Sequence, residues 1–103
     1  MTIALPHWRL LAYDVRDPRR LRRVHKALAR RALFVQESVA ACLATQTELE
    51  ETLAAARQVL APADDLRAWT VTDPARMRWI GRGIPPELAC NFPVQTLRHG
   101  QRP

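Results

Sequence analysis

The chain has 103 residues and carries 16 basic against 10 acidic residues, which gives a net charge of +6. A chain of this length forms one domain with a modest core, since folding buries roughly 65% of its unfolded surface, and no deep active-site cavity is expected. All but one of the 16 basic residues are arginine, which points to an anionic partner, with phosphate first because guanidinium groups match its oxygens.

The charge is unevenly distributed along the chain. Residues 1–31 carry a net charge of +7, residues 32–75 carry −5, and residues 76–103 carry +4. The arginines could also reflect a GC-rich genome and an ordinary solvated helix face. The segregation nevertheless favours a dedicated anion-binding surface near the start of the chain.

No zinc site, disulfide framework or membrane segment is indicated. Cys42 and Cys90 are far apart, and neither has a second cysteine or a histidine at metal-ligand spacing. Pro6, His7 and Arg9 interrupt any secretory signal, and no apolar run approaches the length of a membrane span. We therefore expect a soluble cytoplasmic protein that does not enter a membrane.

The first predicted elements are a strand over Trp8–Val15 and a helix that begins at Pro18. The strand segment is mostly apolar and aromatic and contains no breaker, so Asp14 lies at its carboxyl end. Asp17 and Pro18 form a helix-start signal, because Asp at the N-cap accepts a backbone N–H and Pro at the first position loses no needed donor. The helix should end at about Arg31.

This first helix is strongly amphipathic. Spacings of three and four place an apolar row on one face: Leu21, Val24, Leu28 and Ala32. The row on the opposite face is basic throughout: Arg19, Arg22, Arg23, Lys26 and Arg30. The pattern predicts a continuous cationic stripe on the solvent side of the helix.

The middle of the chain predicts two short strands and a second helix. The strands cover Leu33–Gln36 and Ser38–Leu43 and are joined by a tight reversal or bulge near Glu37. The helix covers Thr45–Leu60, and a Thr followed three residues later by a Glu, at positions 47 and 50, fits a capping box. Three further elements follow in order: a turn at Asp64 and Asp65, a strand over Leu66–Thr72, and an optional short strand over Arg76–Ile80.

The predicted order of elements is strand, helix, strand, strand, helix, strand. This order is typical of a ferredoxin-like βαββαβ fold of the α+β class, in which two helices cover one face of a four-stranded antiparallel sheet. The other face also needs a cover, and a second copy related by twofold symmetry is the simplest one for so small a chain. We place the domain at residues 1–83, followed by a Pro-rich tail at 84–103 that docks on a partner or is disordered.

A family resemblance rests on an ordered set of motifs. These are YDV at Tyr13–Val15, the following Asp17, the helix RRLRRVHKAL, the stretch VQESV at Val35–Val39, and an acid-rich second helix. Together they resemble the Cas2 family, the second of the two core CRISPR adaptation proteins, over about residues 8–80. The combination at these spacings is more specific than YDV alone.

The resemblance implies a homodimer that bridges two dimers of the CRISPR integrase and holds a short DNA duplex for insertion. It also implies a second activity, because members of the family are described as metal-dependent endoribonucleases or DNA nucleases. By that likeness Asp14 would lie at the dimer axis as the Mg²⁺ ligand. The arginines just after it would meet the phosphate backbone: Arg16, Arg19 and Arg20.

Each candidate residue also has a purely structural interpretation. Asp14 could cap a turn, and it lacks a neighbouring acid or base that would complete a catalytic pair. Ser38 could contact metal-bound water or simply be a satisfied strand hydroxyl. Asp17 is expected to be a helix cap, Tyr13 a packing or interface residue, and His25 a packing or surface histidine.

Three functional hypotheses follow. The leading one is a structural dimer in CRISPR spacer acquisition that binds duplex DNA by shape rather than by sequence, with RNA as another partner, through Arg16, Arg19, Arg20, Arg22, Arg23, Lys26 and Arg30. The alternative is a Mg²⁺-dependent endonuclease that uses Asp14 from both subunits. A small-molecule-binding regulatory domain is disfavoured, since a Gly-rich ligand loop is absent and the basic stripe is present. The sequence leaves open whether the protein is an enzyme.

Overall fold

The computed structural model describes residues 4–89 and the backbone of a short strand at 94–95. The chain divides after Val71 into two units. The first unit contains strands β1 (His7–Asp14), β2 (Leu33–Gln36), β3 (Val39–Ala44) and β4 (Asp65–Val71) and helices α1 (Pro18–Ala29) and α2 (Gln46–Arg57). The boundary predicted at residue 83 stays a prediction, because much of the chain beyond it lies outside the described residues.

The four strands form one antiparallel sheet in the order β2-β3-β1-β4. With α1 between β1 and β2 and α2 between β3 and β4, this is the predicted ferredoxin-like βαββαβ fold. The central strand β1 pairs with β3 on one side and with β4 on the other. Its last residue, Asp14, therefore lies beside the β2–β3 turn and the start of β4.

Both helices cover the same face of the sheet. Alternate strand residues turn towards the helices and are buried in one apolar cluster with residues of α1 and α2. The cluster contains Leu11, Tyr13, Val15, Val24, Leu28, Ala40, Cys42, Ala44, Leu49 and Ala56. The alanines of β3 let the helices approach the sheet closely.

Several predicted boundaries shift, and one motif was wrong. The strands β1, β3 and β4 are displaced by one residue from Trp8–Val15, Ser38–Leu43 and Leu66–Thr72. The capping box lies at Thr45 and Glu48, not at positions 47 and 50. Glu48 donates its backbone N–H to Thr45 Oγ1 at 3.2 Å, and the Thr45 backbone N–H donates to Glu48 Oε1 at 2.9 Å.

The second unit begins with a short 3-10 turn at Pro74–Arg76. Strand β5 (Trp79–Ile80) and strand β6 (Val94–Gln95) form a separate two-stranded parallel sheet, with the short helix α3 (Pro86–Ala89) between them. The optional strand predicted over Arg76–Ile80 therefore exists as its last two residues. Of the predicted tail, 84–103, the structure describes the helical turn and the backbone of β6.

Candidate nucleic-acid interface

Helix α1 begins as its sequence predicts. Asp17 is the N-cap, and its Oδ2 accepts the backbone N–H of Arg20 at 2.9 Å, while Pro18 occupies the first helical turn. Val24 and Leu28 are completely buried against the sheet. These anchors fix the rotation of the helix and turn its opposite face outward.

The outward face of α1 carries the basic stripe, defined here as Arg19, Arg22, Arg23, Lys26 and Arg30. All five side chains are exposed. Four of them line a shallow depression of about 280 Å³: Arg19, Arg22, Arg23 and Lys26. None of the five forms an ion pair with a carboxylate in the part of the chain that the structure describes. The stripe thus presents unneutralised cations on a rigid helix.

Arg16 and Arg20 were predicted to bind phosphates together with the stripe. The structure places them in two different environments. Arg16 is exposed between β1 and α1. Arg20 instead donates from Nε to Asp64 Oδ2 at 2.7 Å and from Nη2 to Asp64 Oδ1 at 3.1 Å. The Asp64 side chain is fully buried. Arg20 therefore fastens α1 to the segment that follows α2 and is not free for a phosphate.

The Arg20 guanidinium also sets the ionisation of its partner. Hydrogen bonds from Arg20, and then from backbone N–H groups including that of Ala61, lower the pKa of Asp64 to about 2. Ala61 N donates to Asp64 Oδ2 at 2.9 Å. The sequence analysis placed Asp64 in a turn. It did not foresee the pair with Arg20, because nothing in the sequence links two residues that lie so far apart.

Asp14 opens onto a second depression, which we call the carboxylate pocket. Asp14 is exposed at the end of β1, and its partner in the antiparallel register is Asp65, the first residue of β4. The pocket has a volume of about 290 Å³ and is lined by Ala12, Tyr13, Asp14, Ser38, Val39, Asp65, Arg67 and Trp69. The predicted site residues Asp14 and Ser38 thus come together in one place.

Asp65 is the acidic residue that the sequence patterns missed. It was placed in a turn, although the alternation of Asp65, Arg67 and Trp69 would have put all three on one face of a strand. Arg67 donates from Nε and Nη2 to the two carboxylate oxygens of Asp65, each at 3.2 Å. This pair offsets the repulsion between two carboxylates on opposing strands.

Tyr13 and His25 pack beside the β2–β3 turn, which is one of the two roles expected of each. Tyr13 is buried, and its hydroxyl donates to the Glu37 carbonyl at 2.9 Å. Burial, followed by the charge of Glu37, raises the pKa of Tyr13 to about 12. His25 contacts the same carbonyl and meets the rings of Tyr13 and Phe34 edge to face, with centroids 5.7 and 5.0 Å away. These contacts hold the β2–β3 turn beside the carboxylate pocket.

The donor set of the carboxylate pocket suits a hard cation only in part. Carboxylate oxygens are the ligands that Mg²⁺ prefers, and Asp14 has no ion-pair partner among the described side chains. Asp65, however, is engaged by Arg67. No group of three or more Asp, Glu, His or Cys residues within the described ranges could hold a metal ion. Among the described residues of this pocket, Asp14 is therefore the carboxylate left available to a cation.

The fold and the basic helix define a small α+β domain of the ferredoxin-like class. A family model described as "CRISPR associated protein Cas2" matches residues 7–78. The chain belongs to this family, which supports a role in CRISPR adaptation. No helix in the described part of the chain is long and apolar enough to cross a membrane.

Solved structures agree with the family assignment. A hypothetical protein from Thermus thermophilus is 28% identical with a TM-score of 0.70, over 79% of this chain and 98% of that one. The Streptococcus pyogenes Cas2 structure at pH 6.5 is 28% identical with a TM-score of 0.57, over 62% of this chain and 84% of that one. A further Cas2 structure, at 22% identity and a TM-score of 0.66, over 79% and 93%, supports the fold alone.

Proposed function

We propose that this protein acts in the cytoplasm as a homodimeric, duplex-DNA-binding structural partner that bridges the CRISPR integrase during spacer acquisition. The observation that carries the proposal is the basic stripe of α1, whose side chains are exposed and form no ion pair with a described carboxylate. Membership of the Cas2 family supplies the pathway. The bridging role is what the family resemblance implies.

The stripe suits a phosphate backbone better than a small anion. From Arg19 to Arg30 it extends along the helix by about 16 Å, and duplex DNA carries a charge per roughly 1.7 Å of its axis. Several phosphates can therefore meet the stripe at once. Helix α1 contains neither Asn nor Gln, the side chains that read adenine edges. We propose that its cations contact phosphates rather than bases, so that binding depends on shape more than on sequence. RNA would offer the same phosphates.

Exposed apolar side chains on the sheet face opposite the helices support the proposed homodimer. Trp69 is 51% exposed and Leu43 is 54% exposed, although both lie in strands of the main sheet. Leu10, which pairs with Trp69 across the strands, belongs to the same face. An apolar sheet face of this kind is stabilised by a second apolar surface, and a second copy of the chain offers a matching one.

The alternative function is a Mg²⁺-dependent endoribonuclease or endodeoxyribonuclease that uses Asp14 from both subunits. The exposure of Asp14 in a pocket with Ser38 favours it. A bound Mg²⁺ would supply a water activated for phosphodiester hydrolysis. Because Asp65 is paired with Arg67, this alternative takes its second carboxylate from Asp14 of the other subunit.

A reconstituted spacer-integration reaction separates the two functions. With the CRISPR integrase and a duplex substrate, Asp14→Asn should retain integration, whereas the double variant Arg22→Glu/Arg23→Glu should lose it. Loss of integration by Asp14→Asn, with dimerisation and duplex binding intact, would reverse the ranking. Mg²⁺-dependent cleavage that disappears in Asp14→Asn would establish the nuclease.

A further inference from the structure

Helices α1 and α2 lie side by side in opposite directions. Near the start of α1, Arg20 reaches Asp64, which follows α2. Just after the end of α1, Arg31 reaches Glu51, in the middle of α2. The acidic first half of α2, which contains Glu48, Glu50 and Glu51, therefore lies beside the C-terminal end of α1. The basic stripe thus meets an acidic neighbour at one end.

Arg20 lies in the first turn of α1, and Arg31 lies two residues beyond the last helical residue, Ala29. Both side chains turn towards α2 rather than outward with the stripe. Each meets a carboxylate supplied from the α2 side. Because of these ion pairs, Arg20 and Arg31 do not extend the cationic surface of the stripe.

The two ion pairs differ in burial and in the number of hydrogen bonds. Asp64 is fully buried and accepts both hydrogen bonds of a bidentate pair. The Arg31–Glu51 contact is a single one, Nη1 to Oε2 at 3.1 Å, between side chains that are 42% and 55% exposed. An exposed single-contact ion pair adds little stability and is screened by salt. Removal of the Glu51 carboxylate should therefore release Arg31 while leaving the fold intact.

We infer that Glu51 limits the nucleic-acid-binding surface at the C-terminal end of α1. It does so because it pairs with Arg31 and keeps that guanidinium from binding a phosphate. The inference rests on the proposed function, and it concerns competition between one carboxylate and one phosphate for the same guanidinium. Glu51 keeps the duplex on the stripe and narrows the contact at the C-terminal end of α1. Arg31 is a latent phosphate contact.

Glu50 offers a matched control on the same helix. It is exposed and accepts a hydrogen bond from the Gln46 amide at 2.8 Å, and it does not pair with an arginine among the described residues. Glu50→Gln and Glu51→Gln remove the same charge from neighbouring positions. Only the second variant releases Arg31.

The test measures duplex affinity over a series of salt concentrations by fluorescence anisotropy. Each added phosphate contact steepens the slope of log affinity against log salt by about 0.9. Glu51→Gln should steepen the slope by about this amount and bind severalfold more tightly at low salt. Glu50→Gln and Arg31→Gln should keep the wild-type slope, and Glu51→Gln/Arg31→Gln should return to it. Thermal melts of the variants check that all of them are folded.

The inference is overturned if Glu51→Gln keeps the wild-type slope, if Glu50→Gln steepens it equally, or if Arg31→Gln alone flattens it. The last result would show that Arg31 already contacts phosphate. Failure of the proposed function looks different: the wild-type protein would bind duplex without salt dependence, or substitutions in the stripe would leave binding unchanged.

Discussion

Arg20 and Asp64, 44 positions apart in the chain, are joined by two hydrogen bonds of 2.7 and 3.1 Å. The carboxylate is fully buried, whereas the guanidinium is about a third exposed. Bidentate, charge-assisted pairs of this kind are among the stronger hydrogen-bonded contacts in proteins. This pair fastens the basic helix to the connection between α2 and β4, and it holds only while Asp64 is ionised.

Stability should therefore fall in acid because of Asp64. The pKa of Asp64 is about 2 in the folded protein and about 3.9 in an unfolded chain. The ionised carboxylate therefore stabilises the fold fully above the unfolded pKa, and this stabilisation is lost as the pH falls towards the folded pKa. Asp64→Asn should lower the melting temperature at neutral pH and flatten this acid limb. Circular dichroism melts between neutral pH and pH 2 measure both effects.

Asp65→Asn is the matched control for Asp64→Asn. It removes a carboxylate one residue further along that is 45% exposed and is paired with an exposed arginine. Its effect on the free energy of unfolding should stay within about 0.5 kcal/mol. Equal destabilisation by the two variants would contradict the structural role assigned to the Arg20–Asp64 pair.

Binding by the basic stripe should be visible in the salt dependence of duplex affinity. Arg23→Gln removes one exposed cation that lines the stripe depression, so the slope of log affinity against log salt should become shallower by about 0.9. Arg57→Gln removes the same charge from the last turn of α2, outside that depression. It should leave the slope unchanged, and a parallel loss in both variants would indicate a diffuse charge effect instead of a defined stripe.

The sheet face should mediate dimerisation through Trp69. A charge introduced at an exposed apolar residue in the centre of an interface commonly weakens association by roughly tenfold or more, so Trp69→Glu should raise the dimer dissociation constant at least that far. Leu5→Glu places the same charge at a residue that is 66% exposed and precedes β1. Analytical ultracentrifugation should find Leu5→Glu dimeric. A wild-type protein that is monomeric at micromolar concentration would refute the dimer.

Alanine substitutions at two nearby threonines test the position of the α2 capping box. Thr45→Ala removes the side chain that caps Glu48 N and should lower the free energy of unfolding by about 1 kcal/mol. Thr47 lies inside the first helical turn and is exposed, so Thr47→Ala should be neutral or slightly stabilising, because Ala has the higher helix propensity. Urea denaturation distinguishes these outcomes, and a larger loss for Thr47→Ala would show that α2 begins two residues later.

Local pattern was sufficient for much of the fold. The apolar spacing of α1 and the Asp17-Pro18 start signal predicted a helix from Pro18, and β2 has the predicted bounds. The capping box was wrong by two residues because positions 45 and 48 satisfy the same spacing as positions 47 and 50. The pairing of Ala44 with His7 decided between them, since it keeps residue 44 in β3 and leaves Thr45 as the first residue able to cap.

The candidate site was predicted less completely than the fold. Asp14 was placed correctly at the end of β1, but its cross-strand neighbour Asp65 was assigned to a turn. Strand register determines which residues face each other across a sheet, and it cannot be read from a short stretch of sequence. The partnership of Asp65 with Arg67, which bears on the metal hypothesis, requires only the alternation of side chains along β4. It was missed because Asp65 was assigned to a turn.

The sequence by itself determined that a cationic stripe exists, because a period of three and four residues along one helix fixes which side chains share a face. Only the tertiary structure decided which arginines remain available. Arg20 is bound by Asp64 and Arg31 by Glu51, while the stripe pairs with no carboxylate in the described ranges. Those acids come from positions 20 to 44 residues away, and they reach α1 only because the fold lays α2 beside it in the opposite direction.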